Sequence, residues 1–129
     1  MLLPYSIDLV PEYIGRLIAK SRQWNPVGRR VLIKVDDGPQ LGMNLRGAIR
    51  KVVDQPTQVP GILIELDEPW HTGQHTGTWV FATARFSGHG IFRLLVTCGV
   101  VNVNLLEGPT IPGSLPYERF AAIALLRLE

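Results

Sequence analysis

Apolar and polar residues alternate with a period of two through the middle of the chain, which is typical of strands in a half-buried β-sheet. The alternation predicts six strands, over 29–35, 45–54, 62–67, 78–86, 91–97 and 100–106. Short links rich in glycine and proline separate them, and Ser87-Gly88-His89-Gly90 would join the fourth to the fifth as a hairpin. Because no helical segments alternate with these strands, we expect an antiparallel sheet curled into a small, SH3-like or related barrel.

The two ends of the chain have a different pattern. Residues 8–24 repeat apolar side chains at helical spacing and stop at Asn25-Pro26, which predicts an amphipathic helix. Beyond a proline-rich loop at 108–116, residues 117–128 are rich in alanine and leucine. They predict a C-terminal helix, although their nearly continuous apolar character also allows a final buried strand. The expected fold is one mostly β (α+β) domain, with the barrel between two helices.

Composition adds limits on the class of protein. The 129 residues are 46% hydrophobic and 19% charged, which fits one folded domain. Cys98 is the single cysteine, so the chain has no internal disulfide that would indicate an oxidising compartment. No segment reaches the roughly 20 apolar residues of a membrane span. We therefore expect a cytoplasmic protein with no membrane partner.

Charge is unevenly distributed along the chain. Residues 1–51 carry nine basic and four acidic side chains, whereas residues 52–129 carry four basic and seven acidic ones. Such asymmetry favours an anionic partner, but it also fits two halves that attract each other within one fold.

A nucleic-acid interface is one expectation that follows from the basic half. Arg30 and Lys34 share one face of a predicted strand, and Arg46 and Arg50 share one face of the next. Aromatic side chains that could stack on bases occur on a later strand, together with an arginine. The candidate ligand-binding residues are Arg30, Lys34, Arg46, Arg50, Trp79, Phe81 and Arg85.

Metal-dependent catalysis is a second alternative. The predicted loop 68–77 contains a doubled His-Thr-Gly unit, in which His71 and His75 follow Glu68. Histidine and carboxylate are both zinc ligands, so these three residues are the candidate metal site. No nucleophile elbow, P-loop or dinucleotide-binding motif occurs, and the sequence predicts no catalytic residue and no cofactor.

One fragment resembles a known family. Ile62-Leu63-Ile64-Glu65-Leu66-Asp67-Glu68-Pro69, a glycine-containing loop and Trp79-Val80-Phe81 look like the core of CAP-Gly domains, small barrels that bind acidic aromatic C-terminal tails. The loop Gly-Lys-Asn-Asp-Gly that defines the family is absent, and 71–77 stands in its place. Because that loop carries the family's ligand contacts, the resemblance implies a barrel and not the family's function.

The leading expectation for function is a non-enzymatic binding or assembly module. It rests on the compact β core, the lack of a catalytic constellation and a mean hydropathy of +0.14, which is high for so short a chain. The surplus apolar surface further predicts a homodimer or higher oligomer, with residues 117–128 in the interface.

Overall fold

Six antiparallel strands form a closed barrel in the computed structural model, which describes residues 25–53, 60–73, 75–85, 99–113 and 119–129. The strands are β1 (Arg30–Val35), β2 (Asn44–Val53), β3 (Gly61–Thr72), β4 (His75–Ala84), β5 (Gly99–Leu106) and β6 (Phe120–Leu128). Each strand pairs with the next in sequence, and β6 returns to pair with β1. No helix among these residues is long and apolar enough to cross a membrane.

The interior is filled by alternate side chains from all six strands, because successive residues of a strand point to opposite faces. Burying one such aliphatic side chain stabilises the fold by about 1.5–3 kcal/mol. The buried interior residues are Val31, Ile33, Val35, Leu45, Ile49, Ile62, Ile64, Leu66, Trp70, Val80, Ala82, Val101, Val103, Leu105, Ala122, Ala124 and Leu126. The strands expected at 29–35, 45–54 and 100–106 are thus confirmed.

The C-terminal segment closes the barrel as a strand, so over 120–128 the expected helix is wrong and the alternative, a final buried strand, is confirmed. Leu126 lies opposite Ile33 on β1 and opposite Gly99 on β5, and its side chain is fully buried. Alanine and leucine rank high in intrinsic helix propensity, but propensity is a weak preference that tertiary contacts override. Here the exposed edges of β1 and β5 both hydrogen-bond to the backbone of β6, and this tertiary pairing overrides the local preference.

The turn-forming residues of 68–77 predicted a loop, and this prediction is also wrong, because most of the segment belongs to strands. Strand β3 continues to Thr72 and β4 begins at His75, so only a tight turn separates them. Gly73 has a φ of +57°, a conformation that favours glycine, which explains the turn. The ladder between these strands is interrupted by a bulge between Glu65 and Trp70, beyond which Trp70 packs into the core.

A smaller apolar cluster lies on the outside of the barrel. Phe81 packs there with Val53, Leu63 and Leu106, and it is 1% exposed. Strand β4 is therefore apolar on both faces, because Val80 and Ala82 face the interior. From Trp79 to Thr83, β4 pairs with β3 on one side and β5 on the other.

Two expectations lie outside the described residues. They are the helix at 8–24 and the hairpin partner at 91–97.

Leu126→Ala should destabilise the protein by about 2–5 kcal/mol, because it leaves a cavity in the strand that closes the barrel. Leu41→Ala is the matched control, since Leu41 is 66% exposed and should change stability by no more than about 0.5 kcal/mol. Urea unfolding followed by tryptophan fluorescence measures both. Equal effects would show that β6 does not contribute to the core.

Candidate functional site

Three of the predicted ligand-binding arginines form ion pairs with acidic side chains on the outer surface of the barrel. Nε of Arg46 lies 3.0 Å from Oε1 of Glu129, and Nε of Arg50 lies 3.0 Å from Oε1 of Glu65. Arg30 pairs with Asp67 through both ends of its guanidinium group. Each pair joins a base from residues 1–51 to an acid from residues 52–129. These three intramolecular pairs therefore neutralise much of the charge difference between the two halves of the sequence.

The Arg30–Asp67 pair affects the protonation of both groups. The hydrogen bonds from Arg30 hold the pKa of the Asp67 carboxyl below its ordinary value, and the positive charges of Arg30 and Arg46 act in the same direction. The same hydrogen bond raises the pKa of Arg30. Both side chains are about half exposed, so solvent screens the pair and its contribution to stability is small.

A shallow groove of about 390 Å³ crosses the outer face of β6, β1 and β2. It is lined by Leu32, Lys34, Asn44, Arg46, Leu125 and Arg127. We call it the β6–β1–β2 groove. Its cations are Lys34, Arg46 and Arg127, and its apolar floor is formed by Leu32 and Leu125.

Strand register builds the groove as two rows of three residues. In the first row Leu32 lies opposite both Arg46 and Arg127. In the second, Lys34 lies opposite Asn44 and Leu125. Directly opposed residues share one face of an antiparallel sheet, so all six point outward together.

Two of the three cations in the groove have no ion-pair partner in the part of the chain that the structure describes. Among the described residues, neither Lys34 nor Arg127 has an acidic group within 4.0 Å, whereas Arg46 is paired with Glu129. The groove therefore presents unbalanced positive charge beside an apolar floor.

The predicted aromatic residues lie far from these cations. Strand β4, which carries Trp79 and Phe81, is three strands away from β1 in either direction round the barrel. Phe81 is buried, and Trp79 is half-buried beside the outer apolar cluster. Nη1 of Arg85 lies 3.1 Å from Oδ1 of Asn102 and donates to it. Of the expected base-stacking surface, the structure therefore brings together only Trp79 and Arg50, because Trp79 lies opposite Glu65, the ion-pair partner of Arg50.

The candidate metal ligands are also not brought together. His71 lies opposite Thr76 and His75 lies opposite Thr72, so the two imidazoles point to opposite faces of the hairpin. Glu68 is exposed in the bulge. The described residues contain no group of three or more His, Cys, Asp or Glu side chains arranged to hold a metal ion.

Four residues of the groove were not among the sequence candidates: Leu32, Asn44, Leu125 and Arg127. Leu125 and Arg127 were missed because residues 117–128 were expected to form a helix, and only a strand places these two residues beside β1. A period of two over 120–128 places Leu125 and Arg127 on the face opposite Leu126, and pairing with β1 then places them beside Lys34.

No known protein family, no curated protein and no solved structure matches this chain. The class that the fold defines is a small closed antiparallel β-barrel.

Replacing Arg30 by glutamine should raise the pKa of Asp67 towards its ordinary value, because the variant loses the charge and the paired hydrogen bonds. The lowered pKa contributes stability above the ordinary pKa of aspartate, and this contribution is lost as pH falls through the lowered value. Carboxyl ¹³C NMR titration measures the shift. Lys34→Gln is the control, since Lys34 does not contact Asp67. An unchanged pKa in Arg30→Gln would contradict the assignment.

Proposed function

We propose that this barrel is a non-enzymatic binding module that holds an acidic segment of a partner protein in the β6–β1–β2 groove. The observation that supports the proposal is the pair of unbalanced cations, Lys34 and Arg127, on either side of an apolar floor. Arginine binds carboxylates with two parallel hydrogen bonds, and lysine attracts them as a point charge. A segment that combines Asp or Glu with Leu, Ile or Val complements both parts of the groove.

The shape of the groove favours a peptide over nucleic acid. Its floor is Leu32 and Leu125, and no aromatic side chain among the described residues lines it, so those residues offer bases no stacking surface. Arg46 and Arg127 flank Leu32 from neighbouring strands, which sets their backbones about 10 Å apart. That width accommodates one extended chain.

The other functions expected from the sequence have less support. Nucleic-acid binding would use Arg30, Lys34, Arg46 and Arg50, and the three arginines of this set already have acidic partners. A metal-dependent enzyme would need His71 and His75 on one face of their hairpin. Both functions remain alternatives to be tested, and membership of the SH3-like class of barrels also remains a proposal.

Self-association through the C-terminal segment is a separate proposal. Fewer apolar residues of this segment support it than the sequence suggested, because the inner residues of β6 are buried within their own barrel. The outer residues Ile123 and Leu125 are half-buried and are the part of this strand that a second copy would cover. Sedimentation equilibrium at tens of micromolar should give a mass above the 14.3 kDa of one chain. A monomer mass would contradict the proposal.

The double variant Lys34→Gln/Arg127→Gln should weaken binding of an acidic peptide at least tenfold, because it removes both unbalanced charges. The probe is a short fluorescein-labelled peptide of alternating Glu and Leu, measured by fluorescence anisotropy, and the same peptide with Gln for Glu should bind weakly. Arg29→Gln/Lys51→Gln is the control, since it removes equal charge from exposed positions outside the groove.

Two results would overturn the proposed function. One is equal weakening by the test and control variants, which would indicate only general attraction between opposite charges. The other is tighter binding of an oligothymidine strand than of the acidic peptide at the same ionic strength, which would favour nucleic acid.

A further inference from the structure

A second concave site lies at one end of the barrel, away from the groove. Its volume is about 410 Å³, and its walls come from the β1–β2 turn, the β3–β4 hairpin and the start of β6. The lining combines the carboxylate of Asp37 with apolar groups, including Val35, Phe120 and Ala122. Pockets of this kind, apolar with a few fixed polar groups, are typical small-ligand sites, and barrel mouths are a common place for them.

Hydrogen bonds to β6 hold the Asp37 carboxylate in place. Its Oδ1 accepts a hydrogen bond of 2.7 Å from the backbone N–H of Ile123. The adjacent N–H of Asp36 donates to the carbonyl of Ile123 at 2.8 Å. Among the described residues no other donor contacts the Asp37 carboxylate, so one of its oxygens is available to a ligand.

The turn that carries Asp37 is also tied to the β3–β4 hairpin. Gln40 accepts a hydrogen bond of 2.7 Å from the indole Nε1 of Trp70 through its Oε1. Its Nε2 donates to the carbonyl of His71 at 2.6 Å. Since Trp70 is anchored in the core, the walls of the pocket are held in position before any ligand arrives.

The charges around the pocket favour a cation. Arg119 is paired with Glu107, which offsets its charge. Nη1 of Arg119 lies 3.3 Å from Nδ1 of His75, and since an arginine can only donate, Nδ1 is the acceptor of that contact. Among the described residues, the carboxylates of Asp36 and Asp37 then give this end of the barrel a negative charge.

We infer that the barrel-end pocket binds an alkylammonium group, either a free small amine or the side chain of a lysine from another molecule. The ammonium would pair with the free oxygen of Asp37 and approach the face of Phe120, whose ring attracts cations. The methylene chain would lie against Val35 and Ala122. This site does not depend on the proposed peptide groove, since the two share no residue.

The test uses ¹H–¹⁵N NMR of the full chain titrated with n-butylammonium, with n-butanol as the neutral probe of similar shape. We expect saturable shifts at Asp37, Gly73 and Phe120 with the ammonium, and at least tenfold weaker binding of the alcohol. Nα-acetyl-lysine amide distinguishes the two sources: tighter binding than n-butylammonium favours a lysine side chain, and weaker binding favours a free amine.

Asp37→Asn is the decisive variant, because asparagine keeps an oxygen that accepts from Ile123 and loses only the charge. Affinity for n-butylammonium should fall at least tenfold. Asp36→Asn removes the same charge from the neighbouring residue, which does not line the pocket, and should change affinity less than threefold. Equal effects of both variants, equal binding of the alcohol or absence of saturable shifts would each overturn the inference.

Discussion

The pairing of β6 with both β1 and β5 is the interaction on which the rest of the structure depends. Without β6 the sheet would have two exposed edges, and the interior side chains of β1 and β5 would lose their cover. The same strand supplies Leu125 and Arg127 to the groove, and the backbone N–H of Ile123 to Asp37. Closure of the barrel and assembly of both candidate sites are therefore one event in folding.

The ion pairs on the outer surface follow from strand order, and one of them depends on the same closure. Arg30 on β1 lies opposite Ala48 on β2 and pairs with Asp67 on β3, so its side chain passes over a small residue to reach its partner. Glu129, directly after β6, pairs with Arg46 on β2. The Arg46–Glu129 pair thus depends on closure of the barrel, whereas the other two pairs need only the neighbouring strands β1 to β3. Lys34 and Arg127 stand out because this arrangement leaves them without such partners among the described residues.

The sequence predicted the strands whose two faces differ in polarity and failed where that contrast was weak. Strand β1 alternates clearly between Val31, Ile33, Val35 and the exposed Arg30 and Lys34, and its limits were nearly correct. In β6 the outward Ile123 and Leu125 are apolar too, so no period of two could be seen. Over 68–77, glycine and threonine gave a pattern typical of a loop, so the end of β3 and the start of β4 were not predicted. The β6–β1–β2 groove could not be predicted, because it depends on the register of three strands, and β6 is distant in sequence from β1 and β2.

A barrel of only six strands restricts where a ligand can bind. Eight strands give an interior that side chains just fill or that holds one small molecule, and here the narrower interior is occupied by residues such as Trp70 and Leu105. Binding must therefore use the outer face or an open end. The outer face carries unbalanced positive charge at Lys34 and Arg127, whereas the end carries negative charge at Asp36 and Asp37. The two proposed sites share no residue and carry opposite charges, so the proposals predict two different ligands that bind independently of each other and of the core.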